Sequence, residues 1–386
     1  MARRQHDAAM IHRCRRSGLF HLSRVQLWGR LQPAAAGRAV LDRGSNLTGN
    51  FGMALGADST HASRIARPAG LCRYTEVMPD SSALATSPNA HLPLSGTIRM
   101  VAIDMDGTLL PDFSTVVSRR NREALRAAQQ AGIRIVIATG RRQAFTAPLL
   151  EGVGLHPETP LVTSNGAVTR TFRGDRLDFR HLRPELARAL ASLLRGTGMT
   201  VFTLDRAEPP DLIVEDMAIA RGRLAKWVEA NRGSIRAVRP IESALGDDVE
   251  MIQGMAAGTL QELAEAERRL ADCPWKEEFA CIRTAYPGHD LSILDLLPPG
   301  VSKRSALERL AEDLQIAPEE VMTIGDNWND ESMLDWAGTG VLMGNATDEL
   351  LQLAPHRGWR IAPRNTDDGV AAMLELAMAN RNHNAK

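Results

Sequence analysis

Val101-Ala102-Ile103-Asp104-Met105-Asp106-Gly107-Thr108-Leu109-Leu110 is the stretch that decides how this 386-residue chain folds. An apolar, strand-like run ends in two aspartates two residues apart, and Gly-Thr follows at once. Side chains at i and i+2 of an extended chain point to the same side. Asp104 and Asp106 therefore converge beyond a strand's C-terminal end, while Met105 turns into packing. Two carboxylates pushed together repel unless a cation or a shared proton reconciles them. A hard divalent cation such as Mg2+, which takes oxygen ligands, answers that need. Asp-Gly after a strand is also an ordinary turn signal, so the stretch alone leaves both readings open.

Working outward, Val321-Met322-Thr323-Ile324-Gly325-Asp326-Asn327-Trp328-Asn329-Asp330 repeats the pattern: a short apolar strand, a glycine turn, then two acids. In an open parallel sheet, sites form beyond the carboxyl ends of strands, so clusters this far apart in sequence can meet there. Between them, Ile133 to Ala138 is a third strand ending in Thr139-Gly140-Arg141, and Lys303 opens a helix that Ser302 can cap. Aspartate pair, Thr, Lys and acidic pair, in that order, resemble the four motifs of the haloacid dehalogenase (HAD) superfamily.

The rest of the chain is read around these points. From Arg99 onward, strands alternate with helices, which predicts an α/β fold with a doubly wound parallel sheet. Ser118 caps a helix through Gln130, and Asn165-Gly166 closes the strand Leu161–Ser164 with a hairpin signal. Near Leu182 the texture changes. Helical segments at Pro184–Leu194 and Leu260–Ala271 alternate with short strands at Met199–Leu204, Asp211–Val214, Ile235–Val238, Val249–Ile252 and Ala280–Tyr286. Leu291–Leu297 reads as the return of the core. The expected division is 98–181 with 286–386 for the core, 182–285 for the insert, and 1–97 as an extension. An insert of this makeup between the Thr139 and Lys303 motifs resembles a type IIB cap. Asp326–Asp330, Met333-Leu334-Asp335-Trp336-Ala337-Gly338 and Thr366-Asp367-Asp368-Gly369-Val370-Ala371 are similar to the Cof-type phosphatases. The resemblance covers about residues 100–386 and implies a Rossmann-like HAD core carrying an α/β type IIB cap.

Composition supports this division. Net charge is zero, yet residues 1–99 hold thirteen Arg, no Lys and five acids, and the remainder is correspondingly acidic. An Arg-rich nucleic-acid arm and a transit peptide are two readings of that extension. A disordered tail, or sequence upstream of an internal start at Met78 or Met100, is a third. The basic residues are scattered without aromatic stacking partners, so nucleic acid is not the expected partner. No stretch is long and apolar enough to span a membrane, and a cytoplasmic protein is expected. Cys14, Cys72, Cys273 and Cys281 lack any zinc-like spacing and read as unpaired thiols.

The chemistry follows from residue types and from the resemblance. An ordinary aspartate, with a pKa near ~3.9, is ionised at neutral pH, so Asp104 needs no special activation to act as a nucleophile. Asp106 is placed as general acid, then base. The resemblance implies that Mg2+ is held by Asp104, the Asp106 carbonyl and Asp326, with Asp330 supporting that shell or orienting Lys303. It implies that Thr139, Gly140, Lys303 and Asn329 hold the phosphoryl oxygens. Thr139 read alone is equally a helix cap, and Lys303 a solvated first-turn lysine. His289 reads as a linker residue, Trp328 and Trp336 as packing. One departure is that Leu291-Ser292-Ile293-Leu294 lacks the acid the family often carries in the strand before Lys303. The expected function is Mg2+-dependent hydrolysis of small phosphorylated metabolites (sugar phosphates or nucleotide-like phosphates) through a phosphoaspartyl intermediate. Alternatives are a phosphomutase or dedicated sugar-phosphate phosphatase with the same cap, and a non-catalytic protein whose basic tail binds nucleic acid.

Overall fold

Runs that are apolar without interruption become strands buried on both faces, as parallel sheets covered by helices require. The computed structural model describes residues 72–73, 96–111, 114–206, 209–286 and 290–384. After a short strand β1 (Cys72–Arg73) comes β2 (Met100–Ile103), buried throughout. Helix α1 (Arg119–Gln130) starts where the Ser118 hydroxyl accepts a hydrogen bond from the Asn121 N–H at 3.1 Å. Strand β3 (Arg134–Ala138), helix α2 (Gln143–Leu150) and strand β4 (Pro160–Thr163) follow. Ser164-Asn165-Gly166 then turns β4 into the antiparallel β5 (Val168–Thr171), and β5 into β6 (Arg176–Phe179) completes the meander.

The insert contributes α3 (Pro184–Leu194), β7 (Met199–Leu204), β8 (Leu212–Val214), α4 (Gly222–Ala230), β9 (Ile235–Ala237), β10 (Met251–Gly258), α5 (Leu260–Asp272), β11 (Ala280–Tyr286) and β12 (Leu291–Leu297). They form a seven-stranded sheet, ordered β1-β11-β12-β10-β7-β8-β9. Helices α3 and α5 cover one face over Phe202, Ile213, Leu294 and Leu296. Helix α4 covers part of the other, where Leu224 and Val228 meet Val201 and Val214.

The chain then returns through α6 (Lys303–Asp313), β13 (Val321–Gly325), α7 (Glu331–Trp336), β14 (Thr339–Met343), α8 (Asp348–Arg357), β15 (Arg360–Ala362) and α9 (Gly369–Asn384). The core sheet has eight strands, ordered β15-β14-β13-β2-β3-β4-β5-β6 and parallel from β15 to β4. From β2 the strands march one way to β4, and from β13 the other way to β15. The reversal between β2 and β13 is a topological switch point, where such sheets leave a crevice.

Several expectations need correction. Leu291–Leu297 is not a core strand: it pairs antiparallel with β10 and β11 in the insert's sheet, so the insert reaches Leu297. Its burial alternates residue by residue over most of its length, the mark of a strand with one open face, whereas core strands are continuously buried. Helix α4 went unread because it opens on Gly222 without a side-chain cap. Strand β10 runs on through Gln-Gly-Met-Ala-Ala-Gly, a sequence of low strand propensity held by partners on both sides. Cys72–Arg73, from the extension, pair with β11 and so form an edge of the insert's sheet. The remainder of that extension, 1–71 and 74–95, and His289 lie outside the described residues. Cys273 is a free buried thiol, but Cys281 is disulfide-bonded, a pairing that sequence spacing does not signal.

Charged and polar contacts help set the insert against the core. Arg170 of β5 binds Asp205 at 2.6 Å, and the buried Arg142 pairs with Asp211 while donating to Asn231 at 2.9 Å. Burial lowers the Arg142 pKa to about 10. The hairpin turn is equally constrained. Gly166 sits at φ +101°, and a Cβ there would lie 2.2 Å from the Ser302 carbonyl oxygen, at the cap of α6. Gly166→Ala is expected to destabilise the protein by about 1–3 kcal/mol. Denaturant unfolding checks this, and a loss below about 0.5 kcal/mol, the level of a neutral surface change, would show that the turn does not press on α6.

Candidate active site

Strands β2 and β13 lie side by side, with Ile103 opposite Ile324. Pairing continues one residue further, since the Asp104 N–H donates to the Ile324 carbonyl at 2.9 Å. Asp104 and the Gly325-Asp326 turn therefore leave the sheet together, at the switch point. Into this place α6 delivers its first residue. Lys303, 1% exposed, donates from Nζ to Asp104 Oδ1 at 2.5 Å and to Asp330 Oδ1 at 2.6 Å. It is no solvated lysine. Asp330 is fully buried, and its Oδ2 accepts the Asp326 and Asn327 N–H groups at 3.0 and 3.1 Å. Lys303 thus has its acidic partner in Asp330, not in the strand before it. That strand does carry an acid, Asp295, a little beyond the tetrapeptide that lacks one.

The turn after Asp104 is locked from several sides. Thr108 Oγ1 donates to Asp326 Oδ1 at 2.7 Å. Gly107, at φ +81°, comes so close to Asp326 that a Cβ would lie 2.2 Å from Oδ2. Its carbonyl accepts from two asparagine side chains, Asn345 at 2.8 Å and Asn365 at 2.9 Å. Neither asparagine was singled out in the sequence, where nothing links them to position 107. Asp106 is half exposed and binds Arg141, which donates Nε to Oδ2 at 2.6 Å and Nη2 to Oδ1. This bidentate clamp was also missed, although Arg141 directly follows Thr139-Gly140 at a strand end.

Thr139 is buried, and its Oγ1 accepts the Arg141 N–H at 3.1 Å while its carbonyl accepts the Asn165 N–H at 3.1 Å. Ser164 and Asn165 both adopt left-handed φ values, 48° and 53°, which for residues other than glycine is strained backbone of the kind stored at functional sites. Ser164 Oγ and Asn165 Oδ1 are buried without a hydrogen-bond partner among the described residues. Asn165 therefore does more than close the hairpin, since it brings an unsatisfied carboxamide oxygen beside the Thr139-Gly140 loop. Asn329 lies on the single turn Trp328–Asp330, partly exposed, with no side-chain hydrogen bond among the described residues. Trp328 and Trp336 pack against core clusters.

Oxygens of Asp104, Asp326 and Asp330 lie within 4.8 Å of one another. The Asp106 carboxylate is not in this group. Three carboxylates against one ammonium leave an excess of negative charge, and every donor is a hard oxygen, so the set fits a divalent cation. Burial, with Asp330 and Asp106 adding to it against Lys303, pushes the Asp104 pKa up to about 7. The assumption of an ordinary aspartate at this position is thus corrected: it ignored burial. Asp326 is raised well above the usual range by burial, Asp104 and Asp330. Burial alone would lower the Lys303 pKa, but Asp104 and Asp330 outweigh it and keep the ammonium charged. A cavity of about 630 Å³ in the insert, lined by Glu215, Asp216, Met217 and Arg232 among others, shares no residue with this cluster.

A conserved sequence profile, that of the haloacid dehalogenase-like hydrolases, matches residues 101–374. The chain belongs to this family. Within it, the chain is a phosphatase of the Cof type. It is 29% identical over 306 residues to phosphatase YwpJ of Bacillus subtilis, covering 72% of this chain and 99% of that protein. It is 28% identical to an HMP-PP phosphatase of Cronobacter sakazakii, over 67% of this chain and 88% of that one. A haloacid dehalogenase-like hydrolase structure from Bacteroides thetaiotaomicron superposes with a TM-score of 0.60 at 26% identity, covering 72% of this chain and 99% of that chain. Among the described residues, no helix is long and apolar enough to cross a membrane.

The charge excess has a measurable sign. Asp104 rises from 3.8 to about 7 on folding, so its contribution favours the folded state at low pH and is lost as pH rises through about 7. Without divalent cations, the melting temperature is expected to fall between pH 5 and pH 8. Added Mg2+ is expected to raise it more at pH 8 than at pH 5. Calorimetric melts that show an equal Mg2+ effect at both pH values would contradict this account.

Proposed function

We propose that this HAD-family phosphatase hydrolyses phosphomonoesters of small metabolites, in the cytoplasm, through a phosphoaspartyl intermediate. The observation that carries the reading is Lys303, buried between Asp104 and Asp330, which aims one ammonium at the carboxylate that must approach an anion. Asp104 Oδ would attack phosphorus in line, and the P–O bond to the leaving group would break as the acyl phosphate forms. Asp106 would give the leaving oxygen its proton, then take one from the water that cleaves the intermediate. The Arg141 clamp occupies both Asp106 carboxylate oxygens, so Asp106 would have to part from Arg141 before it could carry the proton to the leaving oxygen. Thr139, the Gly140 N–H, Lys303 and Asn329 would hold the phosphoryl oxygens.

Asp104, the Asp106 carbonyl and Asp326 would hold Mg2+, with Asp330 fixing Lys303 and the Asp326 turn. When bound, the ion neutralises charge on the phosphoryl group and the cluster. We take the catalytic core as residues 98–181 with the chain beyond Leu297, and the cap as 182–297. The cap would close over the site and exclude water. That relatives are named an HMP-PP phosphatase and a pyridoxal phosphate phosphatase supports a small-metabolite substrate. Whether a phosphorylated metabolite is hydrolysed or isomerised is decided by whether a sugar bisphosphate activates turnover.

Asp104→Asn is expected to lower kcat on the order of 10³-fold or more, with the fold intact by circular dichroism. Substantial residual turnover would rule out Asp104 as nucleophile. Asp106→Asn is expected to slow an alkyl phosphate by about 10²-fold or more, yet p-nitrophenyl phosphate much less, because its leaving group needs little protonation. Equal losses on both esters would argue against the acid role. EDTA is expected to silence the enzyme and Mg2+ to restore it, and full activity in metal-free buffer would exclude the proposed ion.

A further inference from the structure

The cap's sheet carries a polar pair that none of the roles above uses. Gln253 Nε2 donates to Asp295 Oδ1 at 2.6 Å, joining β10 to β12. Among the described residues Asp295 has no cationic partner, and burial pushes its pKa up to about 6. An acid held this way in a sheet, with no counter-charge and partial access to solvent, is poorly explained by stability alone.

Its place in the sheet says what it faces. Asp295 lies opposite Met255, and Gln253 opposite Thr203, so all four share one face. That is the face bearing α4, which carries Met255, Leu291 and Ile293, and not the face under α3 and α5. Helix α4 packs with Val201 and Val214 on the far strands and with Met255, Leu291 and Ile293 on β10 and β12, and on this same face Asp295 stays only half-buried. This face is turned to the catalytic end of the core, because Arg142, next to the Asp106 clamp, reaches Asp211 and Asn231 at the C-terminal end of α4. The pair also sits at the end of the sheet nearest the core. Ile252 and Leu297, close neighbours of Gln253 and Asp295, pack on Ala167 and Val168, directly after Asn165-Gly166.

We infer that Asp295 and Gln253 form the leaving-group subsite, which selects phosphomonoesters whose leaving group donates hydrogen bonds, through hydroxyl or amino groups, and disfavours leaving groups that carry a second anion. The free carboxylate oxygen would accept from the substrate, and Gln253 would hold the carboxylate in place. This rests on the phosphatase reading and adds to it a selection rule. A site built to bond a donor discriminates strongly against analogues that lack one.

The test is kcat/KM, with Mg2+, for four esters: β-glycerol phosphate (hydroxyl donors), 2-aminoethyl phosphate (an ammonium), phenyl phosphate (no donor) and phosphoglycolate (a second anion). The full chain is expected to prefer one of the first two over phosphoglycolate, and which of them leads tells hydroxyl from amine. In Asp295→Leu, the ratio of that preferred ester to phenyl phosphate is expected to fall by about tenfold or more. Asp295→Asn, which keeps the shape, is expected to move the same ratio the same way without lowering the melting temperature. A pair that only ties β10 to β12 would instead lower stability and slow all four esters alike. Wild-type preference for phosphoglycolate, or an unchanged ratio in both variants, would overturn the inference alone. Hydrolysis of none of the four would overturn the phosphatase reading and this inference with it.

Discussion

An ammonium sealed between two carboxylates holds the catalytic end of this protein together. Lys303 meets Asp104 at the end of β2 and Asp330 from the turn after β13, and its side chain is closed to solvent. Like charges about 4 Å apart repel by about 4 kcal/mol at an effective dielectric of 20, so the two carboxylates need a cation between them. Breaking a buried pair of this kind by removing one partner costs about 3–5 kcal/mol. The interaction therefore joins three elements, two neighbouring strands and the helix that follows the cap, into one unit. Because α6 begins at Lys303, the point where the chain re-enters the core is also the point where its charge is spent on the site.

Around that pair the structure is built to keep backbone in place rather than to bury more surface. Asn345 and Asn365 arrive from beyond β14 and β15 to hold the Gly107 carbonyl, while Thr108 reaches Asp326. Gly107 and Gly166 are each pressed against a neighbour that leaves no space for a side chain. The left-handed Ser164 and Asn165 add strain beside the Thr139 loop, and strain persists only where surrounding contacts over-determine it. Here the β4–β5 hairpin on one side and the cap of α6 on the other supply that constraint. The aspartates thus sit on rigid strand ends.

How much of this could be read in the chain depends on the distance over which each signal acts. Asp104, Asp106, Thr139, Lys303, Asp326 and Asp330 lie at strand ends or helix starts, so short apolar runs and their punctuation reveal them. Arg141 is adjacent to such a signal, but its partner Asp106 lies 35 positions away, and only the β2–β3 pairing brings them together. Asn345 and Asn365 are separated from Gly107 by 238 and 258 positions, with no local pattern to mark them. The pKa of Asp104 was equally invisible, because it is set by burial and by neighbours from other elements.

Local order alone determined the alternation of strands and helices, the strand-end acids, the caps at Ser118 and Ser302, and with them the family. A period of two or of 3.6 residues, and a capping hydroxyl, are properties of a few consecutive positions, and they survive in any tertiary context that accepts them. The tertiary structure decided which sheet each strand joins. Leu291–Leu297 reads as a mostly apolar strand, but an apolar run does not name a partner, and β10 and β11 claimed it for the insert's sheet. That choice turned Asp295 toward the face shared with Gln253, since moving a strand between sheets or by one residue redirects every side chain on it. Which acids gather at the strand ends was written in the sequence, whereas which sheet and which face each strand of the insert joined was decided by long-range pairing.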